Sequence, residues 1–432
     1  MKHMLSLLRI PAVAGIVCAA SAVWAQTAGS TPAISLDWAH IKDRFEAANP
    51  LLHADQLGVD EMKAAETTAN LRPNPQLTLA TDSTQIAPHD GIWTPVSGTS
   101  AATTLSYLHE RERKRELRLR SAQMSTQIAA AQHEDLERNL LFNLRSLYVQ
   151  ILQAKSVVGL AQSDLEYYDK IIAISRDRLR AGDLAQIDLD RIELMRVQYE
   201  AELQSAKVNL RTSKIQLLEL LDDPTPVDQL DVTGDFDSNE DLKPLEYFRN
   251  AALDGRPDLR AALESAEQSK TNHQLAVANG STDPTLSGWY TWNSSNNNPN
   301  ALQTLGLSVS VPLRIFDRNQ GEKQRTQIDM ERTKTQSEAI RAQVFGDVDS
   351  AYAQVESNLA LIHPYRMQYK DQALRVRDTV TYAYEHGGAS LMDFLNAQSE
   401  YRQVQLAYLQ LIGSYLTAAG QLNLAVGREV LP

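Results

Sequence analysis

The chain has 432 residues, a formal net charge of −12 and a single cysteine, Cys18. The acidic balance disfavours nucleic acid and anionic membrane surfaces as partners. Because the cysteine lies within the first 25 residues, the rest of the chain offers no disulfide, no thiol chemistry and no cysteine ligand for a metal. After Ala25, no apolar stretch has the ~20 residues that a membrane-spanning helix needs.

Residues 1–25 predict a cleaved export signal, with two basic residues, an apolar stretch and a small-residue cleavage site in sequence. Pro11 and the short apolar run make an uncleaved membrane anchor the weaker alternative. Lipidation of Cys18 is not expected, because the residues before it are not of the required apolar and small types. The mature chain is expected to begin at Gln26, outside the cytoplasm.

The first half of the mature chain predicts a long helical hairpin. There is no proline between Pro95 and Pro224, and apolar residues from 111 to 180 recur at spacings of three and four. This pattern predicts a helix of roughly 70 residues, on the order of 100 Å long at 1.5 Å per residue, which is too long for a compact domain. Gly182 ends it, and a return helix is predicted from about Leu184 to Leu221.

The second half repeats the hairpin at a constant offset of 205 residues, which is the separation of Gly182 from Gly387. Here the turn Gly387-Gly388 separates helices predicted over about 318–385 and 390–426. A duplicated hairpin with a heptad seam is typical of the wall of a tube or of a coiled-coil rod.

One position predicts a bend at the same height in both copies. Pro364 interrupts the second long helix, and the corresponding residue of the first copy is Gly159. Both residue types weaken a helix, so we expect a shared bend or a break between coaxial helices.

Each long helix is preceded by a shorter helix and a predicted strand pair. Residues 305–313 alternate apolar with small or polar side chains, which predicts a half-buried strand, and 284–294 is its partner. The first copy has weaker candidates at 75–80 and 99–107. Strands of about ten residues suffice to cross an outer membrane when tilted. The alternative is a soluble four-stranded sheet that caps a helical bundle.

Three tryptophans suit the interfaces of such a membrane-crossing sheet, namely Trp93, Trp289 and Trp292. Four strands cannot close a barrel, since the smallest outer-membrane barrels have eight, so several copies would have to share one barrel.

These patterns divide the chain into five parts. A short acidic, proline-broken segment joins the two repeats, and it is interpreted as a solvated linker in preference to a belt around the middle of a tube. The parts are a signal peptide (1–25), a first repeat of helix, strand pair and long hairpin (26–221), an acidic linker or equatorial segment (222–243), a second such repeat (244–427) and a tail (428–432).

The order of these features resembles the TolC-like family of outer membrane efflux proteins. Residues 255–262 (GRPDLRAA) resemble the opening of that family's second-copy helix, and 71–77 (LRPNPQL) resemble its entry to the first strand. Residues 305–313 resemble its fourth strand, and Gly387 followed by Asp393 resembles its periplasmic turn. The resemblance covers nearly the whole mature chain.

The resemblance implies a mainly helical fold with membrane β-structure. Long coiled-coil hairpins would form a periplasmic barrel, and four strands per subunit would contribute to a 12-stranded β-barrel of a homotrimer in the outer-membrane lipid. The chain would be the exit duct for a periplasmic adaptor (membrane fusion) protein and an inner-membrane pump, for instance of the resistance-nodulation-division type. The cargo, heavy metal or drug, stays open.

The resemblance also implies a periplasmic gate. Asp393 corresponds to the family's acidic ring, and Asn396 to a second constriction, uncharged here. Tyr384 and Asp188 match residues that clasp neighbouring hairpins, whereas Ala389 replaces a family arginine. The ordinary alternatives are that both aspartates favour a helix N-terminus and that the tyrosine packs in the seam.

Nothing in the sequence resembles a catalytic site, so we expect no enzyme activity, no cofactor and no metal centre. The histidines of the helical regions are spread along the chain and do not cluster (His133, His273, His363 and His386). The rival to an efflux duct is a secreted coiled-coil structural or adhesive protein. The two strand pairs discriminate between them, because a rod does not need strands.

Overall fold

The computed structural model describes residues 34–96, 98–239, 241–293 and 302–431. The predicted export signal lies outside these residues. Most of the described chain is helical, and the same series of elements occurs twice: a pair of short helices, two strands and a long helical hairpin.

The first series is flanked by two short strands, one before it and one after it. In chain order the elements are β1 (Ile34–Leu36), α1 (Trp38–Ala48), α2 (Pro50–Asn70), β2 (Gln76–Asp82), β3 (Ser100–Leu108), α3 (Lys114–Ala181), α4 (Gln186–Leu220), a 3₁₀ turn (Val227–Gln229) and β4 (Leu230–Val232).

The second series has the same order, with its long helix in two parts. It comprises α5 (Leu245–Gly255), α6 (Pro257–Asn279), β5 (Thr285–Asn293), β6 (Gln303–Ser310), α7 (Gln320–Pro364), a π-helical turn (Tyr365–Tyr369), α8 (Lys370–Glu385) and α9 (Leu391–Val426).

The long first-copy helix is continuous, as the sequence pattern predicts. Helix α3 has 68 residues and ends at Gly182, whose φ of 85° lies in the left-handed region. Glycine adopts this conformation without the Cβ clash of other residues, and its N–H can then bond back to the last turn of the helix. The hairpin therefore reverses at Gly182, and α4 returns from Gln186.

The predicted irregularity of the long helix is seen as an interruption in the second copy only. Helix α7 ends at Pro364 and continues into α8 through the π-helical turn. Proline removes a backbone donor and its ring clashes with the preceding turn, which forces the irregularity. Gly159 keeps its N–H, and α3 passes through it as one continuous helix, so the break that the sequence predicted as one possibility is absent there.

The four longer strands form one antiparallel sheet in the order β2-β3-β5-β6. Thr103 pairs with Leu79 on one side and with Tyr290 on the other, so the two copies join directly at β3 and β5. The strand predictions are therefore confirmed in type and place.

The sheet buries neither of its faces in the single subunit. Every residue of β2 is exposed, and Leu305 and Leu307 of β6 are 81% and 83% exposed. The prediction of a half-buried strand is wrong for the isolated chain, because its apolar face has nothing of this subunit against it. A sheet that capped a helical bundle would bury one face on the helices, so that alternative is not supported.

Buried apolar side chains form two clusters among the helices. The larger one lies where α1, α3, α5, α7 and α9 meet, around residues such as Phe45, Leu144 and Phe248. The smaller one lies in the outer half of the hairpins, around Tyr168 and Phe394. Within the described ranges, none of the helices combines the length and apolar character needed to cross a membrane.

The acidic segment between the repeats packs on the helices. Strand β4 pairs in parallel with β1, and its residues Leu230 and Val232 are 2% and 0% exposed. Lys155 Nζ lies 2.9 Å from the Asp231 carboxylate, and the Tyr148 hydroxyl donates to Thr233 O at 3.0 Å. The expectation of a solvated linker is wrong, because two apolar residues between the acids give the segment a buried edge.

Candidate functional site at the hairpin tips

Both hairpins reverse at their glycine turns in the same way. At the first tip Gly182 is followed by α4, which has Ala185 at its N-cap and Asp188 as its third residue. At the second tip Gly387, with φ of 77°, and Gly388 are followed by α9, which has Ser390 at its N-cap. The predicted turn glycines therefore occupy the turns.

Asp393 is the third residue of α9 and closes a capping box with Ser390. Its Oδ2 accepts from Ser390 Oγ at 2.7 Å and from Ser390 N at 3.1 Å, while the Asp393 N–H donates to Ser390 Oγ. These bonds, the hydroxyl first, hold the pKa of Asp393 below its usual value. The side chain is exposed, and Asn396 one turn on is exposed as well. Asp393 therefore does act as an acid that stabilises the N-terminus of its own helix.

Asp188 has the same position in the first copy without the same support. Its N-cap is Ala185, which has no side-chain hydrogen bond to offer, so α4 lacks a capping box. The carboxylate is partly exposed. Of the two equivalent aspartates, only Asp393 is held by its own helix terminus.

Tyr384 packs inside the subunit. Its ring is stacked on Phe394 with centroids 5.0 Å apart, and the residue is 3% exposed. Its hydroxyl is buried without a hydrogen-bond partner among the described residues. Seam packing thus accounts for the ring, and a clasp with another subunit's hairpin stays a prediction.

Arg178 is a tip residue that the sequence interpretation missed. Its Nη1 donates to Tyr384 O at 2.7 Å, and its guanidinium lies 5.1 Å from the Tyr384 ring centroid. It therefore joins the first tip to the second within one chain. A sequence signal existed, because the second-copy counterpart of Arg178 is Ala383 and the duplication is broken there.

A second missed feature is a charged cluster between the hairpins, formed by Asp164 of α3, Glu202 of α4 and Arg402 of α9. Arg402 Nε lies 3.1 Å from Asp164 Oδ2, and its Nη2 contacts Glu202. The guanidinium also lies 4.8 Å from the centroid of the Tyr199 ring. Residues from three helices, and from both copies, therefore meet at one arginine.

Burial raises the pKa of one member of this cluster, Asp164. The Asp164 side chain is 4% exposed, and burial raises its pKa to about 6 despite the attraction of Arg402. The ion pair with Arg402 is misaligned for a hydrogen bond, and Asp164 Oδ2 has no hydrogen-bond partner among the described residues. A carboxylate that loses water without gaining donors is easier to protonate.

The three tryptophans predicted at the membrane interfaces lie on the sheet or in its first loop, away from the tips. Trp93 in the loop after β2 and Trp292 near the end of β5 are 51% and 45% exposed, and both belong to the end of the sheet opposite the helices. Trp289 covers Gly306 on the neighbouring strand, where a Cβ would lie 2.2 Å from the indole. The interface role of all three stays a prediction.

Within the part of the chain that the structure describes, no three His, Cys, Asp or Glu side chains are grouped so as to hold a metal ion.

Sequence comparisons agree with this architecture. The family model for outer membrane efflux proteins matches residues 248–428. A cobalt-zinc-cadmium resistance protein, CzcC of Cupriavidus metallidurans, is 21% identical over 379 residues, or 86% of this chain and 85% of the relative. The outer membrane efflux protein BepC of Brucella suis is 21% identical over 311 residues, or 69% of this chain and 66% of the relative.

Solved structures share the fold. The outer-membrane channel OprN has a TM-score of 0.74 at 16% identity, over 90% of this chain and 89% of that one. CusC has a TM-score of 0.74 at 16% identity over 92% and 94% of the two chains, and VceC of Vibrio cholerae has 0.73 at 17% over 90% and 96%. With the duplicated hairpins and the four-stranded sheet on which both copies meet, these comparisons show that the chain has the fold of these outer-membrane channels and that its second half matches the outer membrane efflux protein model.

Proposed function

We propose that three copies of this chain join their sheets into one 12-stranded barrel in the outer membrane. The sheet is the observation that carries the proposal, because its two edge strands, β2 and β6, have no partner on their outer sides within the described subunit. The strands alternate in direction, so β6 of one copy can pair antiparallel with β2 of the next. Closure would remove the open edges, which otherwise invite aggregation.

The lipid-facing side of such a barrel has suitable residues. Leu79, Leu305, Leu307 and Val309 are between 63% and 83% exposed in the single chain. Exposed leucines on a strand are unfavourable in water, whereas acyl chains accept them. A secreted rod would have no use for this sheet.

The helical hairpins would extend the duct away from the sheet, and their tips would form its gate. Three copies of Asp393 about the trimer axis would repel one another and attract cations, as carboxylate rings do in cation pores. Asn396, exposed one helical turn further on, would add an uncharged constriction. Asp188, free of a capping box, would be available to a neighbouring hairpin, and the clasp by Tyr384 is part of the same proposal.

The similarity to outer membrane efflux proteins supports partners of a tripartite efflux system. We propose that the tips meet a periplasmic adaptor and that an inner-membrane pump delivers the cargo. The name of the CzcC relative supports cobalt, zinc and cadmium ions as cargo in preference to drugs. Deleting the chain from its host should then lower tolerance of these three ions, and a lower tolerance of organic compounds alone would reject the metal assignment.

The gate is tested by conductance in a planar bilayer. Replacing Asp393 with Asn keeps the shape of the side chain and removes its charge, so the trimer should lose cation preference and conduct more. Ser390→Ala is the matched control, because it removes the hydroxyl of the capping box and keeps the carboxylate. Equal conductance and selectivity in D393N and in the unaltered chain would remove Asp393 from the gate.

A further inference from the structure

Basic residues are distributed unevenly around the sheet. Residues 73–110 and 282–313, which contain the four strands of the sheet, include no lysine or arginine. The segments that follow them are basic, with six lysines and arginines in 111–120 and four in 314–325. This concentration stands out in a chain whose net charge is −12.

The fold brings both basic segments to one edge of the sheet. Leu108, the last residue of β3, pairs with Thr285, which pairs in turn with Ser310, the last residue of β6. The two strands therefore end side by side and lead into α3 and α7. The other two strands, β2 and β5, begin at this same edge and follow α2 and α6. We call it the helix-side edge of the sheet.

Some of these cations belong to the fold itself. Lys114 is buried, and its Nζ donates to Asp283 Oδ2 at 2.6 Å and to Ser281 O at 3.1 Å. Asp283 also accepts from the Arg111 N–H at 2.9 Å, and Arg118 is paired with Glu110. These contacts fix the turn between β3 and α3. The other cationic side chains of the two basic segments take no part in them.

Five arginines of these two basic segments have no carboxylate within 4.0 Å among the described residues, and all but Arg120 lie within eight residues of the end of β3 or β6. The ion pairs at this edge use other cations, namely Arg113, Lys114, Arg118 and Arg325. Two of the four near the strand ends are exposed and two are partly exposed. We call these four the basic belt: Arg111, Arg115, Arg314 and Arg318.

Exposed apolar residues lie within the belt. Between Arg314 and Arg318 the chain exposes Ile315 (63%) and Phe316 (90%), directly after Leu313 (81%). This loop continues the exposed apolar side of β6. Large apolar side chains next to unpaired arginines are the composition of a protein surface that sits at the boundary between acyl chains and head groups.

We infer that the basic belt binds the anionic head groups of the glycerophospholipid leaflet on the helix side of the membrane, with Ile315 and Phe316 inserted among the acyl chains. The inference rests on the proposed membrane insertion of the sheet and adds a specific lipid contact to it. Guanidinium groups pair with phosphate oxygens in bidentate geometry, and their stems reach along apolar surface. The belt would fix the depth of the duct in the membrane.

Lipid binding to the purified trimer tests the inference. Phosphatidylglycerol and phosphatidylcholine are added separately in mild detergent, and the bound lipids are counted by native mass spectrometry. The unaltered protein should prefer phosphatidylglycerol, with a preference that falls as salt rises. At roughly fivefold per cation, the triple variant R111Q/R314Q/R318Q should lose on the order of 100-fold in this affinity.

A charge-matched variant, R191Q/R341Q/R375Q, removes three exposed arginines from the helices and should bind lipid like the unaltered protein. F316S should keep the head-group preference and weaken binding of both lipids. Equal preference in the belt variant and in the charge-matched variant would overturn the inference, as would binding of lipopolysaccharide but not phosphatidylglycerol.

The outcome separates this inference from the proposed function. A belt variant that still forms conducting trimers and shows an unchanged lipid preference refutes the lipid contact alone. Loss of the trimer in the belt variant, with the preference intact in the trimers that remain, would assign the arginines to a contact between subunits. An unaltered chain that neither trimerises nor conducts refutes the proposed function.

Discussion

Asp164 is the residue whose replacement has the most unusual expected effect, because removing its charge should stabilise the protein. Its side chain is 4% exposed and shares one arginine, Arg402, with Glu202. Burial raises its pKa from 3.8 to about 6. Asp164→Asn keeps the size of the side chain and removes the ionised form that the site disfavours.

The size of the expected stabilisation and its pH dependence follow from the pKa of Asp164. A shift of about two units at 1.36 kcal/mol each corresponds to about 3 kcal/mol. Because the folded-state pKa is the higher one, the stability contributed by protonated Asp164 is fully present below about pH 4 and is lost as pH rises through about 6. The free energy of unfolding of D164N should therefore equal that of the unaltered chain near pH 4 and exceed it by up to about 3 kcal/mol at pH 7.5.

Urea unfolding of the purified protein in detergent, at pH 4.5, 6.0 and 7.5, measures this difference. Asp169→Asn is the control, since Asp169 lies on the same helix with its side chain 51% exposed, and its removal should change little at any pH. The reasoning is refuted if D164N is less stable at pH 7.5, or if the difference between D164N and the unaltered chain does not change with pH.

Three further substitutions test single contacts. Ser390→Ala should destabilise α9 by about 1 kcal/mol, and NMR titration should show the pKa of Asp393 rising toward its usual value; an unchanged pKa would contradict the capping box. Gly306→Val should displace Trp289, seen as a red shift of its fluorescence, because a Cβ there would lie 2.2 Å from the ring. Arg178→Gln should make the tips more sensitive to protease, since it removes the bond between them; equal digestion rates would argue against that clasp.

The long helices could be predicted because their signals are local. A proline-free heptad seam and a glycine at each reversal determine α3 and α4, and the constant offset gives the second copy. The strand pairs were predictable from alternation and turn formers. Gly159 shows the limit of this reasoning, because a long helix stabilised by neighbours tolerates a single glycine.

The tip contacts could not be predicted from local pattern. Asp164 and Arg402 are far apart in the chain and meet only because both hairpins fold against each other. The burial of Leu230 and Val232 depends on β1, which lies in another part of the chain. The exposure of the sheet depends on what other molecules cover it, and a single sequence carries no direct signal of that.

Cross-linking between the edge strands tests the central claim, the shared barrel. The predicted mature chain has no cysteine, so a cysteine at Thr78 of β2 can be combined in turn with one at Thr304, Ser308 or Ser310 of β6. Oxidation in the outer-membrane fraction should convert the chain to a covalent trimer for at least one pair and leave each single cysteine variant free of that trimer. Chains that stay monomeric with every pair would contradict the barrel.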